Sequence, residues 1–147
     1  MTENAKIGVG FGIMVLKNNQ VLLGKRHSDP IKASSQLHGE GTWTMLGGKM
    51  HFGESFEESA KRELAEETGI TSDNFEIISL ANDVVHDAHF VTIGILCIEF
   101  NGEPQVMEPN EIVEWKWFDL DNMPTPLFFP SAKLVKNYLN KNFYKKD

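Results

Sequence analysis

Apolar and polar positions divide this chain into short strands, one strongly patterned helix near the middle and a second helix at the end. From Ile7 to Leu16 it is rich in β-formers, with glycines at 8, 10 and 12 that favour close backbone approach. Lys17-Asn18-Asn19-Gln20 reads as a turn and Val21 to Arg26 as the returning strand of a hairpin. His27 to Thr42 is polar and rich in Ser and Gly, a loop long enough to suggest a functional role. Trp43 to Leu46 is a short strand. Phe75 to Ala81 and Phe90 to Phe100 are further strands, the second almost continuously apolar and therefore central. Val113 to Phe118 is another strand, in which Trp115 and Trp117 are assigned to opposite faces. One would enter the core and the other a cleft or a subunit contact, which keeps a homodimer in view. Ser131 to Asn142 predicts a final helix with Leu134, Val135, Tyr138 and Leu139 on one face. Strands before and after a helix, then a closing helix, predict an α/β fold with a mixed sheet covered on both faces.

The central helix carries the chemistry. Ser55 followed by Glu58 forms an S-x-x-E capping box, so a helix should begin at Phe56, and Gly69 supplies a left-handed residue to end it. At about 100° per residue, Glu63, Glu66 and Glu67 fall within an arc of roughly 100°. Phe56, Ala60 and Leu64 form an adjoining apolar stripe that should seat the helix on the sheet. Crowded carboxylates raise one another's pKa unless a cation neutralises them. Their hard oxygens suit Mg²⁺ or Mn²⁺. A Glu-rich helix is often only a solvated face, but Gly48, Glu54 and Arg62 precede this one at fixed offsets. Gly47-Gly48 permits a tight approach of backbone, and Arg62 can hold Glu54 through a bidentate pair.

Composition narrows the class. A chain of 147 residues is long enough for one domain, here read as 1–147, with a proper core and no internal repeat or linker. The net charge of −7 argues against binding duplex nucleic acid. An acidic protein acting on an anionic substrate needs cations between the two, which agrees with the carboxylate helix. Cys97 is the only cysteine, set among apolar residues and expected to be buried, so no intramolecular disulfide forms. No signal-peptide pattern or membrane-length apolar run is present, so the expectation is a cytoplasmic protein with no membrane partner.

The run Gly48-x5-Glu54-x7-Arg62-Glu63-Leu64-x-Glu66-Glu67-x-Gly69-Ile70 matches the Nudix box, G-x5-E-x7-R-E-U-x-E-E-x-G-U, in full. A chance match at a given start has a probability on the order of 10⁻⁹. Leu23-Gly24-Lys25-Arg26, Trp43, Gly47-Gly48, the box and Trp117-Phe118-Asp119 with Met123-Pro124 also stand in family order. The chain therefore resembles the Nudix hydrolases, with their α/β/α sandwich. Gly8-Val9-Gly10, Phe52-Gly53-Glu54 and Phe90-Val91-Thr92-Ile93 look like the MutT-type nucleotide pyrophosphatases within them. Leu46 is a departure, since relatives usually have Pro before the paired glycines. A proline there would be expected to be tolerated and to rigidify the loop.

The resemblance implies hydrolysis of a nucleoside diphosphate linked to a further group, with Mg²⁺ or Mn²⁺ as cofactor and a small-molecule nucleotide as the partner. It implies Glu63, Glu66 and Glu67 as metal ligands with the Gly48 carbonyl, and Glu54 as a further ligand or water-orienting group. Glu66, Glu54 and Glu111 are candidates for the general base. Arg26 is a candidate phosphate contact, and Phe128 and Phe129 could stack on a base. His51 in the box loop could touch phosphate or simply face solvent. His86-Asp87-Ala88-His89 has the spacing of metal ligands but no further soft ligand beside it, and reads as a turn or strand edge near the cleft. Two signatures of related activities are missing: no Pro lies between Gly69 and Pro104, and no Tyr between Gly69 and Tyr138. That tilts the expectation from ADP-ribose or dinucleoside polyphosphates towards a (d)NTP, oxidised or modified bases included. The other readings are a pyrophosphohydrolase acting on ADP-ribose, nucleotide sugars or capped RNA, and a non-catalytic nucleotide sensor.

Overall fold

The computed structural model describes residues 5–147, so the first four residues of the expected domain lie outside it. Its elements, in chain order, are β1 (Ile7–Lys17), β2 (Gln20–Arg26), α1 (Pro30–Ala33), β3 (Trp43–Thr44), β4 (Leu46–Lys49), α2 (Phe56–Thr68), β5 (Glu76–Val85), β6 (Ala88–Cys97), β7 (Ile112–Asp119) and α3 (Phe129–Asn140). The β1–β2 turn uses Asn18 and Asn19, both with left-handed φ, which Asn tolerates better than most residues.

β1 organises the sheet. Along most of its length it runs parallel to β6, from Ile7 opposite His89 to Val15 opposite Cys97. Its middle pairs antiparallel with β4, and its end turns into β2. β2 in turn pairs antiparallel with β3 and β7, while β5 flanks β6. Because side chains alternate along a strand, β1 feeds two cores. Phe11, Ile13 and Val15 pack with Ala60 and Leu64 of α2, whereas Met14 packs with Leu134 and Val135 of α3. The result is the expected mixed sheet with a helix on each face, and Cys97 is buried as expected.

Four details differ from the sequence reading. Trp115 and Trp117 both pack against the α2-side core, because residues two apart on a strand share a face. Phe56 is 39% exposed at the first turn of α2, where Ser59 is buried beside Ala60 instead. Leu139 is exposed on α3, whose start lies at Phe129 with Phe128 as its cap. Leu46 is 1% exposed in the core and paired with Ile13. Its burial reverses the expectation for a proline there. Pro would bring at most about 0.4–1 kcal/mol through the unfolded chain, whereas emptying a packed leucine site costs about 2–5 kcal/mol. Leu46→Pro should therefore lower the melting temperature, measured by calorimetry.

Among the described residues no helix is long and apolar enough to cross a membrane.

Candidate active site

The box forms a loop and a helix that bring its charged residues to one end of the sheet. Ser55 caps α2 by accepting from the Glu58 N–H, and Glu58 accepts from the Ser55 N–H, so the predicted capping box is complete. Gly69 closes the helix with φ 79°. Held this way, Ala60 and Leu64 face the core and Glu63, Glu66 and Glu67 face the cleft. Glu67 is the most enclosed. Burial, followed by repulsion from Glu63, pushes its carboxyl well above the usual range, against a hydrogen bond from the Gly47 N–H at 3.2 Å. Burial also raises Glu63, opposed by Arg62, with Glu66 pushing further up. Glu66, at 55% exposed, is open to solvent.

Arg62 ties the loop to the helix. Its Nε and Nη2 donate to the two oxygens of Glu54 at 2.7 and 3.0 Å. Its Nη1 donates to Glu63 at 2.6 Å, and Nη2 also reaches the Lys49 carbonyl at 3.2 Å. Glu54 further accepts from the His51 N–H and the Ser59 hydroxyl. Hydrogen bonding to Arg62 above all brings its carboxyl down to about 2. With both oxygens engaged, Glu54 is a brace. Neither it nor Arg62 lines the cleft, and His51 faces solvent in the box loop.

The paired glycines have distinct tasks. A side chain at Gly48 would begin 2.9 Å from the Glu63 carboxyl, so only glycine lets Glu63 lie against this strand. The Gly48 carbonyl, however, lies 3.2 Å from where a Gly10 side chain would begin and so faces β1. The Gly47 N–H projects the other way, to Glu67. In an extended strand the N–H and C=O of one residue point to the same edge. Gly47, not Gly48, therefore turns its carbonyl towards the carboxylates.

These groups border a cleft of about 430 Å³ that runs between α2, the sheet and the start of α3. Arg26 lies within it. One of its nitrogens donates to the Ala33 carbonyl at 3.0 Å, and its guanidinium sits 5.3 Å from the Phe128 ring, but its Nε–H is buried with no protein acceptor. Glu111 lines the same cleft, as does Phe128. Phe129 does not: it packs beside Phe128 and under the Lys133 ammonium. Sequence reasoning missed Glu108, Lys49, Phe90, Thr92 and the 34–37 segment, all of which line the cleft. Burial raises the Glu108 carboxyl, helped by Glu111, Glu63 and Glu66, so it belongs to the same acidic group. Its only signal in the sequence was its E-x-x-E spacing from Glu111.

The donor set fits a divalent cation. Glu63, Glu66 and Glu67 present hard oxygens, two of them destabilised as anions, and a cation would relieve that repulsion. A neighbouring backbone carbonyl from Gly47 completes a group of oxygen donors of the kind Mg²⁺ or Mn²⁺ takes.

Comparison with known proteins places this arrangement. The NUDIX domain model matches residues 6–138. The chain is 31% identical over 136 residues to an oxidized purine nucleoside triphosphate hydrolase of Danio rerio, covering 86% of this chain and 80% of that one. It is 29% identical over 128 residues to an ADP-ribose pyrophosphatase of Methanocaldococcus jannaschii, covering 86% and 69%. The crystal structure of a MutT NUDIX hydrolase from Burkholderia pseudomallei superposes with a TM-score of 0.79 at 28% identity, over 89% of this chain and 97% of that one. With its box complete and its fold shared, the chain belongs to the NUDIX family of hydrolases.

Proposed function

We propose that this chain hydrolyses nucleoside triphosphates, including those with oxidised or otherwise modified bases, to the monophosphate and pyrophosphate. The observation that carries the reading is the single cleft in which the box carboxylates, a buried Arg26 Nε–H without a protein acceptor and the Phe128 ring come together. A phosphate chain can lie along the acidic and Arg26 end while a base stacks on Phe128. Glu63, Glu66 and Glu67, with the Gly47 carbonyl, would hold Mg²⁺ or Mn²⁺, which when bound neutralises phosphate oxygens and activates water. Arg26 donates its free N–H to a phosphate oxygen. The attacking water gives its proton to a carboxylate, for which Glu66 and Glu111 are the candidates and Glu108 is added. Glu54 is set aside as the base because both of its oxygens are engaged. The bridging P–O bond at the attacked phosphorus breaks, and its electrons leave with the departing phosphate group. The similarity to the oxidized purine nucleoside triphosphate hydrolase of Danio rerio and the absent Pro and Tyr signatures support a triphosphate.

A second reading is ADP-ribose cleavage, favoured by the Methanocaldococcus jannaschii relative. A substrate panel with Mg²⁺, containing dGTP, dCTP, an oxidised dGTP, ADP-ribose and a nucleotide sugar, separates the two. The highest kcat/KM is expected for a triphosphate. Rapid cleavage of ADP-ribose with inert triphosphates would replace the first reading by the second. The cytoplasm is the compartment that fits a nucleotide substrate and a lone buried thiol.

A further inference from the structure

The loop that lines the cleft meets the β5–β6 hairpin at one point, through three side chains the proposed reaction does not use. His38, from the loop, places Nε2 2.7 Å from Oδ1 of Asp87. His86, from the hairpin turn, places Nε2 3.7 Å from Oδ2 of the same carboxylate. The two imidazoles stack with centroids 5.4 Å apart and planes at 10°. One ligand atom from each of the three residues lies within 4.8 Å of the others. His38 adopts φ 59°, a left-handed backbone that turns its ring out of the loop towards the hairpin.

We propose that His38, His86 and Asp87 form a binding site for a borderline divalent cation of the Zn²⁺ class, which clips the 27–42 loop to the β5–β6 hairpin. The donors are two imidazole nitrogens and a carboxylate oxygen, a set that suits Zn²⁺, Co²⁺ and Ni²⁺, whereas the all-oxygen box suits Mg²⁺ or Mn²⁺. Tetrahedral bonds of about 2.0–2.2 Å put ligand atoms roughly 3.3–3.6 Å apart. His38 lies 2.7 Å from one oxygen of Asp87 and His86 3.7 Å from the other, and with one ligand atom from each residue within 4.8 Å of the rest, modest side-chain rotations suffice to reach that value. The side chains are free to complete the adjustment, being 45% exposed for His38, 51% for Asp87 and 82% for His86. Three protein ligands leave a fourth position for water.

His86 and His89 share a sequence spacing suggestive of a metal, but His89 is directed to Asn82 instead. The completing ligand comes from His38, 49 residues before Asp87. That separation gives the site its consequence. Ser34 to Leu37, just before His38, line the cleft. A cation held between loop and hairpin would fasten that wall in place without touching the box.

Titration with Co²⁺ in the presence of excess Mg²⁺ tests this directly, because a four-coordinate site with nitrogen ligands gives Co²⁺ an intense visible absorption band, far stronger than the weak one of six-coordinate Co²⁺ among oxygens. The band is expected in the wild-type protein and in Glu67→Gln, to be lost in His86→Ala and in His38→Asn, and to be displaced by Zn²⁺. His86 is on an exposed turn, so its removal leaves the fold intact, which a thermal melt verifies. Zn²⁺ should also slow amide exchange across residues 34–39 by about tenfold or more in the wild type but not in His86→Ala. No band, a band that survives His86→Ala, or exchange slowed equally in that variant would overturn the proposal and leave only a His38–Asp87 ion pair.

Discussion

Glu67→Gln should reduce turnover by about a thousandfold while making the metal-free protein more stable. The loss follows from removing one charged oxygen donor from the box, where several kcal/mol of transition-state stabilisation are at stake. The gain follows from the burial that raises the Glu67 carboxyl. Gln keeps an oxygen to accept the Gly47 N–H and brings no charge into the enclosed site. A gain of about 0.5–2 kcal/mol is expected, as when other functional strain is relieved. The sign with pH is fixed by the direction of the shift. Below the unfolded carboxyl pKa both states are protonated and the variant has no advantage. As pH rises through that value towards the higher folded pKa, the wild type loses stability by resisting ionisation, and the advantage of Gln grows. Melting temperatures in EDTA across a pH series check this, and adding Mg²⁺ should reverse the order of the two proteins.

Arg62→Ala is expected to cost about a hundredfold in kcat although Arg62 does not line the cleft, since small misplacements of reacting groups carry costs of that size. Arg62 holds Glu54, Glu63 and the Lys49 carbonyl at once. Without it the loop from Lys49 to Glu54 loses its tie to α2, and the carboxylates lose their common orientation. Arg62→Lys should recover little, because an ammonium cannot make the two parallel bonds to Glu54. The acid side provides an independent readout. Glu54 is held at about 2 by Arg62 above all. Its lowered pKa contributes stability above its unfolded value of about 4.5 that is lost as pH falls towards 2. Urea denaturation should show the gap between wild type and Arg62→Ala narrowing through that window. A constant gap would mean that Arg62 acts by packing.

What could be read from the sequence divides along physical lines. The box helix was legible because its signals are local. Ser55 and Glu58 cap each other, Gly69 ends it, and the spacing of Glu63, Glu66 and Glu67 fixes their common face. The brace between Arg62 and Glu54 was legible for the same reason, its spacing being set by one loop and two helical turns. Residues brought in by distant pairing were not. Glu108 joins the carboxylates only because β7 returns beside β2, and Ser34 to Leu37 reach the cleft through a loop whose path no periodicity records. Neighbours in sequence can also take different positions, Phe128 lining the cleft and Phe129 not, where α3 begins between them. At Gly47-Gly48 the sequence locates a backbone donor, but the strand's alternation decides which carbonyl faces the site.

The central claim is that water attacks an internal phosphorus of a nucleoside triphosphate. It is tested by one single-turnover reaction of the preferred triphosphate with Mg²⁺ in ¹⁸O-labelled water, with products separated and weighed by mass spectrometry. Attack at an internal phosphorus would give monophosphate and pyrophosphate as the first products, with one ¹⁸O in either of them and none in orthophosphate. Labelled orthophosphate as the first product, with the nucleoside diphosphate beside it, would place the attack at the terminal phosphorus and contradict the account.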